Sequence, residues 1–238
     1  MSIHAPRDLS RHPAALTPRY RSSVLRSPKQ RLIALPDGPA DRTGPTFGHD
    51  MIGALDHDLI LNHAHDGAPV GERIIVHGRV RDEDERPVRN TLVEVWQANA
   101  SGRYRHKKDT FMGAIDPNFG GCGRTVTDDQ GYYRFNTIKP GAYPWPNGGN
   151  NWRPAHIHFS VFGAAFCQRL ITQLYFEGDP LIPLCDIVQT VPDPRDIDML
   201  MAKLDMETTL PFDSIAYRFD IVLRGARSTP FENRMEGN

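Results

Sequence analysis

The chain has 238 residues, 39% of them hydrophobic and 24% charged, with a formal net charge of −1. That apolar content suffices for one large core, no apolar run approaches the roughly 18 residues of a membrane span, and no global field selects nucleic acid or an anionic membrane. Cys122, Cys167 and Cys185 make neither a Cys-x-x-Cys pair nor an even framework, so they are expected as free thiols in a reducing cytoplasm.

Residues 1–31 carry seven Arg and Lys against one acid, Asp8. Pro6, Pro13, Pro18 and Pro28 would break the amphipathic helix of a targeting presequence, so a basic arm lying on a partner's surface is expected. No reading element or aromatic-basic interleaving follows it, which speaks against nucleic acid. Residues 32–70 stay rich in Gly, Pro, Asp and His, with at most a short helix near 51–55. The expected division is a basic, Pro-rich arm and connecting segment over 1–70 and a β-rich domain over 71–238.

From Gly71 the pattern changes. Residues 73–80 are rich in β-branched types, 82–86 form a charged turn closed by Pro87, and 91–97 resume strand character. That pattern predicts a hairpin. Residues 132–138 alternate aromatic and polar side chains before the Lys139-Pro140-Gly141 turn, and 155–162, 169–176 and 215–223 complete at least six strands. Asp193 and Pro194 cap one helix, with Ile197, Leu200, Met201 and Leu204 at helical spacing. The expected fold is all-β, an antiparallel β-sandwich with a short late helix and an extended N-terminal arm.

Within 155–162, His156 and His158 project from one face of a strand, about 6.6 Å apart along it, so both imidazoles could reach one metal ion. Read alone, such a pair is more often two half-buried strand histidines, and most metals want at least one further protein ligand. His63 and His65 repeat the spacing without an apolar flank, and His106 sits in the charge run Arg105-His106-Lys107-Lys108. Those three are read as surface. Aromatic residues lie near the strand instead: Tyr143 in a Gly/Pro-rich loop leading into it, and Tyr104 just past a strand end.

Thr91-Leu92-Val93-Glu94-Val95-Trp96-Gln97-Ala98, Gly102-Arg103-Tyr104, Thr127-Asp128-Asp129-Gln130-Gly131-Tyr132-Tyr133, Ile138-Lys139-Pro140-Gly141-Ala142-Tyr143-Pro144 and Trp152-Arg153-Pro154-Ala155-His156-Ile157-His158 together resemble the intradiol ring-cleaving dioxygenases. Two further stretches, 170–180 and 216–225, narrow the resemblance to the iron-bearing β chain of the members built from two homologous chains. The resemblance implies Tyr104, Tyr143, His156 and His158 as ligands of a non-haem Fe(III), which suits phenolates because they are hard anionic donors. It further implies a homologous α chain as partner, and cleavage of a catecholic ring by O2 between its two hydroxylated carbons. Arg153 is then the cation beside the carbon that gains charge, and Tyr143 the ligand that leaves and takes a catechol proton. Gln173 and Tyr175 are expected near the iron, Trp145 and Ile187 as walls around the ring, and Tyr20 at the substrate's polar edge. Relatives acting on catechol or hydroxyquinol carry a helical linker near the N-terminus, for which residues 1–45 are too Pro-rich. A non-catalytic binding sandwich would signal itself by a lost ligand, and all four positions are filled. A zinc hydrolase is the third alternative, separable by colour.

Overall fold

A computed structural model of the chain describes residues 9–30, 52–148, 152–162 and 169–230. Cys167, Met51 and much of the expected arm lie outside the described residues. Among those described, the strands are β1 (Arg73–Arg81), β2 (Leu92–Gln97), β3 (Cys122–Val126), β4 (Tyr132–Ile138), β5 (Tyr143–Pro144), β6 (Trp152–Arg153), β7 (His156–Phe162), β8 (Arg169–Phe176), β9 (Met201–Leu204), β10 (Ile215–Arg218) and β11 (Ile221–Val222). The helices are α1 (Arg21–Arg26) and α2 (Pro194–Ile197), besides short 3-10 turns.

The fold is all-β. One sheet runs β11-β1-β10-β9-β8-β7-β2-β3, with β4 on the other edge of β1, and β5 and β6 form a separate ribbon. Residues two apart along each strand point to the same side, so Ile74 and Val76 of β1, Val93 and Val95 of β2, Tyr133 and Phe135 of β4, Ile157 and Phe159 of β7 and Leu174 and Phe176 of β8 meet in one core. The Phe159 ring lies 5.7 Å from Tyr133 and 5.3 Å from Phe219. Strands far apart in the sheet order therefore face each other across that core.

Several expectations need correction. The sheet is mixed: β1 pairs parallel with β10 and β11, and β8 with β9. The strands at 73–80 and 91–97 make no hairpin. Val88 N–H reaches Val80 O at 2.9 Å, but Asn90 then turns with φ 52°, and β2 leaves to pair with β3 and β7. Pro87 supplies no ladder donor to hold the pairing. The helix expected through Leu204 ends at Ile197. Asp193 caps it by accepting the Arg195 N–H at 2.9 Å, a 3-10 turn covers Asp198–Leu200, and Met201 and Leu204 belong to β9. That strand bonds to β8 on one side and β10 on the other, satisfying two edges that a further helical turn would leave open. Of the helix proposed near 51–55, the described part is a turn with Asp56 N–H on Gly53 O at 3.1 Å.

The strand proposed over 215–223 is interrupted at Phe219 and Asp220. Phe219 N–H bonds His77 O at 2.8 Å, and its carbonyl turns inward over Gly78 to accept the Tyr133 hydroxyl at 2.6 Å. A Cβ at Gly78 would overlap that carbonyl. The described part of the arm lies on its own chain. Arg11 pairs with Asp196, and buried Asn147 accepts the Arg21 N–H at 2.9 Å while its amide donates to Arg19 O at 2.8 Å.

Candidate metal centre

β7 is flanked by β2 and β8 and buried along its whole length. Its register sets Tyr175 beside His156, and places Gln173 and Trp96 on either side of His158. Directly opposed residues share a face, so these five side chains lie on the side of the strand away from Ile157 and Phe159. The Trp96 indole stacks on His158 at 4.8 Å with planes 4° apart, and the two imidazoles lie 5.0 Å apart at 75°.

His156 Nδ1 is 2.8 Å from Pro154 O, which can only accept. The ring proton is therefore on Nδ1, and Nε2 carries a lone pair. Burial, reinforced by Arg153 and His158, pushes the His156 pKa well below the ordinary value, so the ring is neutral.

Two phenols meet that lone pair. Tyr104 Oη is 3.3 Å from His156 Nε2 and Tyr143 Oη is 3.4 Å from it, with the two phenol rings edge to face at 5.5 Å. The two loops approach closely because Gly102, at φ 81°, sits against the Ala142 carbonyl, where a Cβ would collide. One lone pair cannot accept from two hydroxyls at once. Two phenol oxygens converging on an imidazole nitrogen form a mixed O/N donor set that a hard cation satisfies. His158 is close, its ring 6.4 Å from that of Tyr104. Among the described residues no group of three or more His, Cys, Asp or Glu could hold a metal; the donors gathered here are two imidazoles and two phenols. His63 is half-buried and His65 exposed, with rings 4.8 Å apart, and His106 is exposed.

The loop predicted to carry Tyr143 is in part a ribbon: β5 pairs with β6 and sets Tyr143 opposite Arg153. Arg153 is 5% exposed. It donates to Tyr143 Oη at 3.4 Å, to Tyr175 Oη at 3.1 Å and to Gln173 Oε1, and Tyr175 donates to the same Gln173 oxygen at 2.8 Å. Among the described residues no carboxylate pairs with it, and Arg153 Nε and Gln173 Nε2 have no partner. Burial opposes its charge, but the Tyr175 and Tyr143 oxygens outweigh that and raise its pKa. A buried guanidinium without a counter-ion makes the surroundings receptive to an anion.

A pocket of about 890 Å³ opens onto this cluster, lined by Tyr104, Tyr143 and His158 together with Trp96, Phe111 and Trp145, and with Arg105 and Lys108. Tyr20 packs edge-on against Trp145 at 5.5 Å and joins Tyr175 and Ile187 in a second apolar cluster. Gln173 and Tyr175 touch the site through Arg153. Two residues were not foreseen: Trp96, whose register against His158 no local pattern reveals, and Asp109, which accepts the Tyr104 and Phe111 N–H groups at 2.8 Å each. An Asp five residues past the tyrosine was the available signal for the latter.

Residues 42–225 match the Dioxygenase family, and residues 5–37 match the family described as protocatechuate 3,4-dioxygenase beta subunit N terminal. The chain is 53% identical over 231 residues to the protocatechuate 3,4-dioxygenase beta chain of Burkholderia cepacia, covering 97% of this chain and 98% of that one. It is 31% identical to the protocatechuate 3,4-dioxygenase alpha chain of Pseudomonas putida, over 83% and 96% of the two chains. Among solved structures, hydroxyquinol 1,2-dioxygenase from Pseudomonas putida DLL-E4 superimposes with a TM-score of 0.54 at 25% identity, over 76% of this chain and 64% of that one.

Proposed function

The chain belongs to the intradiol ring-cleavage dioxygenases, and on that premise we propose that it is the iron-bearing β chain of an αβ protocatechuate 3,4-dioxygenase. The reaction is the cleavage of 3,4-dihydroxybenzoate between its hydroxylated carbons to 3-carboxy-cis,cis-muconate, with both atoms of one O2 entering the product. The near full-length similarity to a β chain of that activity supports the substrate and the α partner. No helix among the described residues is long and apolar enough to cross a membrane, and a cytoplasmic location, with Cys122 and Cys185 as free thiols, is part of the proposal.

The observation that carries this reading is the convergence of Tyr104 and Tyr143 on His156 Nε2, beside a buried Arg153 that no carboxylate among the described residues pairs with. In this reading Tyr104, Tyr143, His156 and His158 hold Fe(III). Ferric iron held there would supply Lewis-acid and redox chemistry toward a catecholic ring. The Pro154 carbonyl orients His156, and the stacked indole of Trp96 orients His158. Tyr143 Oη is the internal base for one catechol proton, and Arg153, 3.4 Å from it, favours the negative charge that the ring passes through. Gln173 and Tyr175 fix the guanidinium plane, while Trp96, Phe111 and Trp145 shield the ring from water.

The test is the visible spectrum and metal content of the chain purified with its α homologue, followed by O2 uptake on protocatechuate. Tyrosinate bound to Fe(III) absorbs visible light and tyrosinate bound to Zn(II) does not. A colourless, iron-free but active protein would reject the reading.

A further inference from the structure

The charge run Arg105-His106-Lys107-Lys108 has a place in the fold that its composition does not suggest. Arg105, His106 and Lys108 line the pocket, on the turn that follows Tyr104. The turn is held in place. His106 O accepts the Asp109 N–H at 2.9 Å, and His106 Nδ1 accepts the Lys108 N–H at 3.2 Å. Arg105 donates to Phe119 O at 3.1 Å and Asp116 O at 2.5 Å. Those acceptors are neutral carbonyls, so they fix the guanidinium without cancelling its charge.

Nearby acids are committed elsewhere. Asp116 accepts the Val70 N–H at 2.7 Å and the Asn118 N–H at 2.9 Å. Asp109, the one acid among the described lining residues, faces Arg103 at 3.9 Å. Among the described residues, Arg105, Lys107 and Lys108 make no ion pair. The lining thus carries positive charge from Arg105 and Lys108 that no ion pair among the described residues compensates, in one pocket with the apolar surfaces of Phe111, Trp145 and Pro146.

We propose that the Arg105–Lys108 turn is an anion-selecting rim, which favours ring-carboxylated aromatic ligands over their uncharged isosteres through the field of unpaired cations carried on a fixed turn. The inference rests on the functional reading above and adds to it a source of substrate selectivity. Charges this exposed are screened by salt, so the preference belongs to low and moderate ionic strength. Their effect is largest where low-dielectric walls focus the field into a cleft.

The experiment uses the iron-loaded assembly with its α homologue and two non-cleavable probes of equal shape, 4-hydroxybenzoate and 4-hydroxybenzamide, bound in the calorimeter at low and high salt. The wild type should prefer the carboxylate, and the preference should shrink as salt rises. Lys108→Gln should lower the carboxylate-to-amide affinity ratio roughly three- to tenfold, the scale of one partly screened charge, while Lys108→Arg should retain it. An affinity ratio that ignores salt, or that is the same in Lys108→Gln and Lys108→Arg, overturns the proposal. Loss of the functional reading shows separately, as absence of O2 uptake on protocatechuate by the wild type whichever probe binds better.

Discussion

Arg153 holds a full charge where no carboxylate among the described residues reaches it, and its neighbours are the oxygens of Tyr143, Tyr175 and Gln173. It is not placed as a ligand. Replacing it with Ala should leave iron bound and lower turnover by roughly 10²–10³, the scale for one preorganised charge-stabilising donor; retained iron with turnover within a few-fold of wild type would make it structural. The two phenols should fail differently. Tyr143 lies on a two-residue ribbon opposite Arg153, whereas Asp109 and Gly102 pin the segment of Tyr104. Tyr143→Phe should keep iron and some colour but bind protocatechuate slowly, and Tyr104→Phe should lose iron and bleach the substrate complex. Anaerobic stopped-flow mixing checks both, and equal iron loss in the two variants would contradict the assignment. Far from the site, burial holds the His77 pKa below 6.5 despite the Asp205 carboxylate 3.1 Å away. Below about pH 6.5 the unfolded chain takes up a proton that folded His77 resists, so stability should fall as pH drops from there toward the depressed folded value. His77→Gln should flatten the change in urea midpoint between pH 7.5 and pH 5.5 if this residue contributes as described.

At the scale of elements, the break between β10 and β11 is built around a side chain that is missing. The Phe219 carbonyl, turned in to meet the Tyr133 hydroxyl, occupies the space of a Gly78 Cβ. Gly78→Ala must push β1 away from that carbonyl and should destabilise the chain by about 1–3 kcal/mol, the range for overpacking a core; an unchanged urea midpoint would mean the backbone relaxes freely there. The same region shows why local pattern misled. Residues 215–223 alternate well enough for one strand, and 197–204 space their apolar residues well enough for a helix. What decides both is the neighbour: His77 O takes the Phe219 N–H, and the open edges of β8 and β10 take β9. Ladder bonds and the burial of Ala202 outweigh a marginal short helix.

Across the whole molecule, the described residues of the arm are tied to their own chain, and its expected contacts with a partner remain part of the proposal. Asn147 bonds at once to the backbone of Arg19 and Arg21 and to Asp186 at 2.7 Å. Asn147→Ala leaves those groups without their amide partner and should cost about 1–3 kcal/mol, with faster proteolytic cleavage within residues 9–30 at unchanged global fold. A cleavage rate equal to wild type would show the arm is held by its apolar contacts around Tyr20 instead. The proposed αβ assembly is tested at the same scale: coexpression with an α homologue should raise soluble, iron-loaded protein, and a soluble, fully active homo-oligomer of this chain alone would reject it.

By itself the sequence singled out Tyr104, Tyr143, His156 and His158 as candidate ligands, with Arg153 beside them. The i, i+2 spacing of His156 and His158 on an apolar strand, with Tyr104 and Tyr143 in motifs of one family, is short-range information that survives in any fold placing that strand inside. The all-β class follows likewise from alternation and turn residues. Only the tertiary structure decided which strands meet. Trp96 against His158, Gln173 and Tyr175 beside the histidines, Arg153 across the ribbon from Tyr143 and the cationic turn at the pocket lining depend on pairing between distant segments. Such pairings are chosen by what each strand edge and face buries, which is a property of the closed sheet and of no single stretch of chain.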